Sequence, residues 1–179
     1  MSNPQEYLVI TASGEDRTGL VKDFTGSLHE AGCNIEESRM TVLCGQFAIL
    51  VLVSGPWHAL QKLEDRIENI GQDLQLAIIH RRTQHRPTGS NLVPYRVEVV
   101  CMDHPGIVHS LAEFFARQGI NIEEVTTDTY PAPHTGAPMF SVWMTVGVPA
   151  NMHISTLRGD FLNYCDDLNL DAIIEPVRG

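Results

Sequence analysis

The chain carries the same message twice. Asp16-Arg17-Thr18-Gly19-Leu20-Val21 and Asp103-His104-Pro105-Gly106-Ile107-Val108 agree in the Asp, the Gly, an aliphatic residue and the Val. At the same offset of 87, Gly32, Asn34, Ile35, Glu36 and Glu37 fall on Gly119, Asn121, Ile122, Glu123 and Glu124. An internal repeat constrains the fold more than any single motif, because one half must adopt what the other adopts. In a chain of 179 residues, each half has the length of a small domain with its own core.

Both halves also read as the same order of elements. Tyr7 to Ala12 is a short apolar segment before Ser13-Gly14, the pattern of a buried strand followed by a turn. Leu20, Val21, Phe24, Leu28 and Ala31 recur at helical spacing, with Gly32 as the stop. Asn34 to Leu43 and Phe47 to Val53 are strand-like and flank the short connection Cys44-Gly45-Gln46. Trp57, Leu60, Leu63, Ile67 and Ile70 form a second helical stripe closed by Gly71, and Leu74 to His80 is a last strand. In the second half Tyr95 to Cys101 opens the order. Ile107, Val108, Leu111, Phe114 and Phe115 make its first stripe, and Ile154, Leu157, Phe161 and Leu168 its second. There the tight hairpin turn gives way to a proline-rich loop, Tyr130 to Pro138. The order strand, helix, strand, strand, helix, strand, taken twice, predicts an α+β chain. Each of two four-stranded antiparallel sheets should carry two helices on one face. The domains are expected over residues 1–82 and 94–179, joined by a linker over 83–93 that is rich in Arg, Pro, Gly and Ser.

Charge and composition narrow the function. With 12 basic and 22 acidic side chains the formal charge is -10, which disfavours direct binding to a phosphate backbone. Only His80 to Arg86 gathers positive charge, as Arg81, Arg82 and Arg86, and it reads either as a solvated tether or as a contact to DNA or to an acidic partner face. The longest apolar run, Phe47 to Val53, is far short of the roughly 20 residues of a membrane span. The first residues lack a basic stretch before an apolar core, so a cytoplasmic protein is expected. Cys33, Cys44, Cys101 and Cys165 stand far apart and are expected as reduced, mostly buried thiols, with no metal site and no cofactor.

The repeated residues concentrate at the turn into the first helix and at the start of the second strand. Asp16-x-x-Gly19 and Asp103-x-x-Gly106 stand at a helix N-terminus, where backbone amides and the helix dipole favour a carboxylate. The carboxamides of Asn34 and Asn121 offer a donor and an acceptor, and the fold is expected to bring them to the same place. Together these groups suit an amino acid. Each residue also has an ordinary structural reading: an Asp as helix cap, a Gly for its backbone angle, an Asn in a turn. No nucleophile with its base, carboxylate pair or metal set is visible. Glu36-Glu37 and Glu123-Glu124 are adjacent on a strand, so their side chains are expected on opposite faces.

The doubled element order, Asp-x-x-Gly at the first helix and Gly-x-Asn-Ile-Glu at the second strand resemble ACT domains, small amino-acid-sensing modules with a ferredoxin-like βαββαβ fold. Two such domains with nothing else attached resemble the glycine cleavage system transcriptional repressor family. The resemblance implies a regulator without catalytic activity that binds a small amino acid, glycine first. It also implies action by contact with a LysR-type DNA-binding activator rather than with DNA, and allows a homodimer. Carried over, the ligand contacts are Asp16, Arg17, Thr18, Gly19, Asn34 and Ile35, then Asp103, His104, Pro105, Gly106, Asn121 and Ile122. In ACT domains such contacts often lie across an interface of two domains. Arg17 in one loop and His104 in the other imply unequal affinity and pH dependence. Two other readings stay open: a regulatory subunit of an amino-acid-metabolising enzyme, and a small acylphosphatase-like hydrolase, although the glycine-rich loop of acylphosphatases is absent.

Overall fold

The computed structural model describes residues 5–84 and 91–177, in two compact units, Met1–Thr88 and Gly89–Gly179. The first contains β1 (Glu6–Glu15), α1 (Leu20–Ala31), β2 (Asn34–Leu43), β3 (Gln46–Gly55), α2 (Trp57–Leu74) and β4 (Leu76–Thr83). The second repeats the order with β5 (Leu92–Met102), α3 (Ile107–Arg117), β6 (Asn121–Pro131), β7 (Pro138–Pro149), α4 (Ile154–Asp167) and β8 (Asp171–Pro176). The sheets are antiparallel, in the orders β2-β3-β1-β4 and β6-β7-β5-β8. This is the ferredoxin-like arrangement expected twice over.

Period-two alternation sorts each sheet into a buried and an outer face. In the first unit Leu8, Ile10 and Ala12 of β1 and Phe47, Ile49, Val51 and Val53 of β3 point to the core. They pack under Leu20, Phe24, Leu28 and Ala31 of α1 and Leu60, Leu63, Ile67 and Ile70 of α2. The second core is more aromatic, with the ring of Phe161 5.2 Å from those of both Phe114 and Phe115.

The structure redraws several details of the sequence reading. Ser13 and Gly14 continue β1 rather than ending it. Gly71 does not close α2, which runs on to Leu74 with Gln75 as its left-handed cap. Both glycines serve close approach instead. A Cβ on Gly14 would stand 2.6 Å from the Gln75 carbonyl oxygen, and one on Gly71 2.8 Å from that of Leu76, where the chain turns from helix into β4. In α4 the buried stripe is Leu157, Phe161 and Cys165, and Leu168 has become the exposed cap. Val21, Trp57 and Val108, read as stripe residues, are exposed. Half of the cysteines are buried, Cys101 and Cys165; Cys33 is half-buried, and Cys44 is exposed at the β2–β3 turn with a φ of 49°.

The basic segment is not a tether as far as it is described. His80 to Thr83 belong to β4, and Arg82 is clamped on the helix side of the sheet. Its Nε and Nη2 donate to the Glu64 carboxylate of α2 at 2.9 and 2.6 Å, and Nη1 to Glu6 of β1. Strand pairing therefore takes in Thr83 at one end of the expected linker and Leu92 at the other; His85 and Arg86 lie outside the described residues.

Candidate functional site

The two Asp-x-x-Gly loops are built alike. At the end of β1 the Asp16 amide donates to the Gly45 carbonyl at 2.9 Å, and at the end of β5 the Asp103 amide donates to that of Pro138 at 3.0 Å. Each loop is thus tied to the hairpin of the neighbouring strands. Helices α1 and α3 then begin at Gly19 and Gly106, whose φ angles of 88° and 98° lie in the left-handed region where a side chain is strained. No side chain caps either helix. Asp16 and Asp103 are consequently not the N-caps of the ordinary reading. All eight loop residues from Asp16 to Gly19 and Asp103 to Gly106 are exposed. A Cβ on either glycine would meet nothing within 4 Å. Amides at the positive end of a helix, a carboxylate and open space over a glycine are complementary to a zwitterion's carboxylate and ammonium.

The loops differ in their second residue and in their neighbours. Arg17 donates from Nη1 to Asp23 in the first turn of α1 at 3.1 Å, an exposed pair, so its guanidinium is turned to its own helix. His104 has Nδ1 3.1 Å from the Pro105 carbonyl oxygen. Beside the first loop stands the two-residue turn Cys44-Gly45, both residues with positive φ. Beside the second, the proline-rich segment closes on itself through Ala132 N–H to Ala137 O at 2.8 Å and Gly136 N–H to Ala132 O at 2.9 Å.

Asn34 and Asn121 do not join the loops of their own domains, contrary to the expectation. Helix α1, twelve residues long and so about 18 Å, lies between Gly19 and the start of β2. The sheet register agrees. Asp16 sits against Gly45, and Asn34 pairs with Ser54, about 30 Å away along β3 at 3.3 Å per residue. Asn121 pairs with Gly147, equally remote from Asp103, which sits against Pro138.

A feature missed in the sequence occupies this far end. The β2–β3 register shifts between Ile35 and Glu37, and the β6–β7 register between Ile122 and Glu124, so Glu36 and Glu123 are bulge residues. Glu36 accepts from the Ser54 hydroxyl and, at 3.1 Å, from Asn34 Nδ2, while Gln5 Nε2 donates to Ser54 Oγ at 2.8 Å. Because Ser54 and Leu52 share the outer face and Glu37 pairs with Leu52, the bulge puts Glu36 and Glu37 on one face, not on two as the alternation predicts. In the second unit Glu123 lies over Gly147, where a Cβ would come within 2.7 Å of its Oε1. Ile35 is exposed, and Ile122 packs on the second core. A groove of about 360 Å³ between α3 and α4, lined by Phe114, Arg117, Asp160 and Tyr164 among others, involves none of the repeated residues.

The ACT domain family model matches residues 6–80. Over 173 residues, 97% of this chain and 91% of the relative's, the sequence is 33% identical to the glycine cleavage system transcriptional repressor of Escherichia coli (strain K12). The chain belongs to the glycine cleavage system transcriptional repressor family. The repressor of Shigella flexneri matches to the same extent. Among solved structures, an unknown protein from Galdieria sulphuraria superimposes with a TM-score of 0.78 at 28% identity, covering 98% of this chain and 100% of that one. A structure assigned provisionally as a glycine cleavage system transcriptional repressor shares the fold, with a TM-score of 0.75 at 23% identity over 98% and 99% of the two chains. In this repressor-family chain both units have the ACT fold, and the Asp-x-x-Gly loop recurs in each.

Proposed function

We propose that the chain is a cytoplasmic, non-catalytic regulator of transcription that binds glycine and acts by contact with a DNA-binding activator of the LysR type. The observation that carries this reading is the family relationship over 97% of the chain, together with a helix-start loop built twice with the same backbone. Glycine suits such a loop because it has no side chain to house. First-turn amides take its carboxylate, and Asp16 or Asp103 takes its ammonium group. With five heavy atoms and a ceiling of about 1.5 kcal/mol each, binding is limited to roughly -7.5 kcal/mol, or low micromolar at best. Occupancy then shifts the population of conformers that the activator meets. Asn34 and Asn121, at the far end of each unit's first helix, take part only where a second copy of the chain presents them to a loop.

Calorimetric titration with glycine, then serine and the other amino acids, tests the reading on the native chain and on Asp16→Ala, Asp103→Ala and Asn34→Ala. Saturable binding between micromolar and millimolar, lost in one or both Asp variants, is the expected result. Because Arg17 is paired with Asp23 and His104 stands in its place in the second loop, the two sites should differ in affinity. No heat with any amino acid at tens of millimolar would reduce the loops to turns and leave a module for protein contact alone.

A further inference from the structure

The middle of the first sheet's face that points away from α1 and α2 carries three rows of side chains, read across β2, β3, β1 and β4. They are Glu37–Leu52–Val9–Arg81, Arg39–Leu50–Thr11–Ile79 and Thr41–Ala48–Ser13–Ala77. The inner strands of this face are apolar, with Leu50 48% exposed, and Ile79 on the β4 edge is 73% exposed. A shallow depression of about 240 Å³ lies among Val9, Leu50, Leu52 and the Glu37–Arg39 stretch. Charge is confined to the margins. Glu37 and Arg39 on β2 pair at 3.0 Å, both well exposed, and Arg81 on the opposite edge is exposed without an ion pair among the described residues.

The corresponding rows of the second sheet are Glu124–Thr145–Arg96–Glu175, Thr126–Trp143–Glu98–Ile173 and Asp128–Ser141–Val100–Asp171. Five carboxylates face one guanidinium there, so two copies of that face repel each other. Across its three rows the first face has one carboxylate and two guanidiniums, with Glu36 and Glu15 in the rows beyond them, and the three charges stand where they complement each other under rotation. A two-fold axis along the strands, midway between β3 and β1, sets β2 over the second copy's β4 and β3 over its β1, and each row stays over itself. Glu37 then faces the second copy's Arg81 at both ends of the interface, and Leu52 faces Val9. The spacing of about 10 Å between stacked sheets suits side chains of this length.

We propose that the outer face of the first sheet is a self-association surface, on which two copies of the chain pack face to face with reciprocal Glu37–Arg81 ion pairs around Leu50, Leu52 and Val9. Three rows across four strands amount to about 400 Å² per copy from the strand and residue spacings, half of the roughly 800 Å² that a stable complex buries on each partner. The dimer is therefore weak, and it forms and dissociates over tens to hundreds of micromolar. This proposal stands independently of glycine binding.

Sedimentation equilibrium of the full chain between 10 µM and 1 mM tests it. The chain should dimerise, Glu37→Arg and Arg81→Glu should each weaken association at least tenfold, and the double variant E37R/R81E should restore it to within threefold. Glu98→Arg on the second sheet should leave it unchanged, and far-UV circular dichroism establishes that each variant is folded. A monomer throughout the range, association indifferent to the single reversals, or a folded double variant that stays monomeric would each overturn the proposal.

Discussion

Gly19 offers the sharpest test of the loop on which the proposed glycine binding rests. Its φ of 88° and ψ of -6° lie in the left-handed region, and a Cβ there would touch nothing within 4 Å. Replacement by Ala therefore costs only the backbone strain of about 1–2 kcal/mol, offset by up to about 1 kcal/mol because Ala restricts the unfolded chain. The net is a loss of about 1 kcal/mol, equivalent to roughly 4–8 °C for a domain of this size. Gly19→Asn should cost less, because Asn tolerates the left-handed region. Gly26 lies inside α1 with the same open surroundings but without positive φ. There Ala should stabilise by about 1 kcal/mol through helix propensity alone. Urea unfolding of the three variants at unchanged slope measures the difference. Calorimetry on Gly19→Asn separates stability from recognition, since its side chain fills the space over the loop and should weaken the proposed glycine binding tenfold or more. If Gly19→Ala is as harmless as Gly26→Ala, the loop does not hold this conformation; a loss above about 3 kcal/mol would mean a packed neighbour and refute the open loop.

Other outcomes follow from the packing. Gly71→Ala, also within a helix, should destabilise where Gly26→Ala stabilises, because its Cβ would press on the Leu76 carbonyl 2.8 Å away; stabilisation in a thermal melt would contradict this. Phe161→Ala removes a fully buried ring that meets two others at 5.2 Å and should cost about 4 kcal/mol by urea unfolding, whereas a loss below about 1 kcal/mol would show a core able to collapse around the gap. Hydrogen bonds from Arg82, and secondarily its charge, hold the Glu64 carboxyl below its ordinary value of 4.5. The stability this confers is present above 4.5 and is lost as pH falls below it. Arg82→Leu should therefore cost about 2 kcal/mol at pH 7 and markedly less at pH 3, and a loss equal at the two pH values would refute the linkage. Burial, followed by the Asp166 charge, pushes the Cys165 thiol up to about 12. In native protein at pH 8 a thiol reagent should modify Cys44 within minutes and Cys165 only on unfolding, as peptide mass spectrometry reads.

Much of the architecture was legible because its signals are local. Leu20, Phe24, Leu28 and Ala31 stand at helical spacing and are buried as that spacing requires, and the repeat fixed the element order of one half by the other. What escaped depends on contacts distant in sequence. Gly71 looks like a helix stop until β4 is seen passing it, and the basic run at His80 looks solvated until Glu64 and Glu6 are seen around Arg82. The candidate site shows the same division. The loop residues were visible as repeated Asp and Gly, but repetition does not measure distance, and a whole helix separates them from Asn34. The extra residue at Glu36 was invisible because a bulge is a property of two paired strands, not of one.

That extra residue also orders events in the history of the chain. A bulge at the same place in both β2 and β6 is most simply inherited from a single ancestral domain, so it is older than the duplication. The features in which the halves differ, Arg17 against His104 and a two-residue turn against the closed loop of Ala132 to Ala137, are younger. The halves diverged afterwards at the hairpins and in the loops, while the strand start stayed as it was.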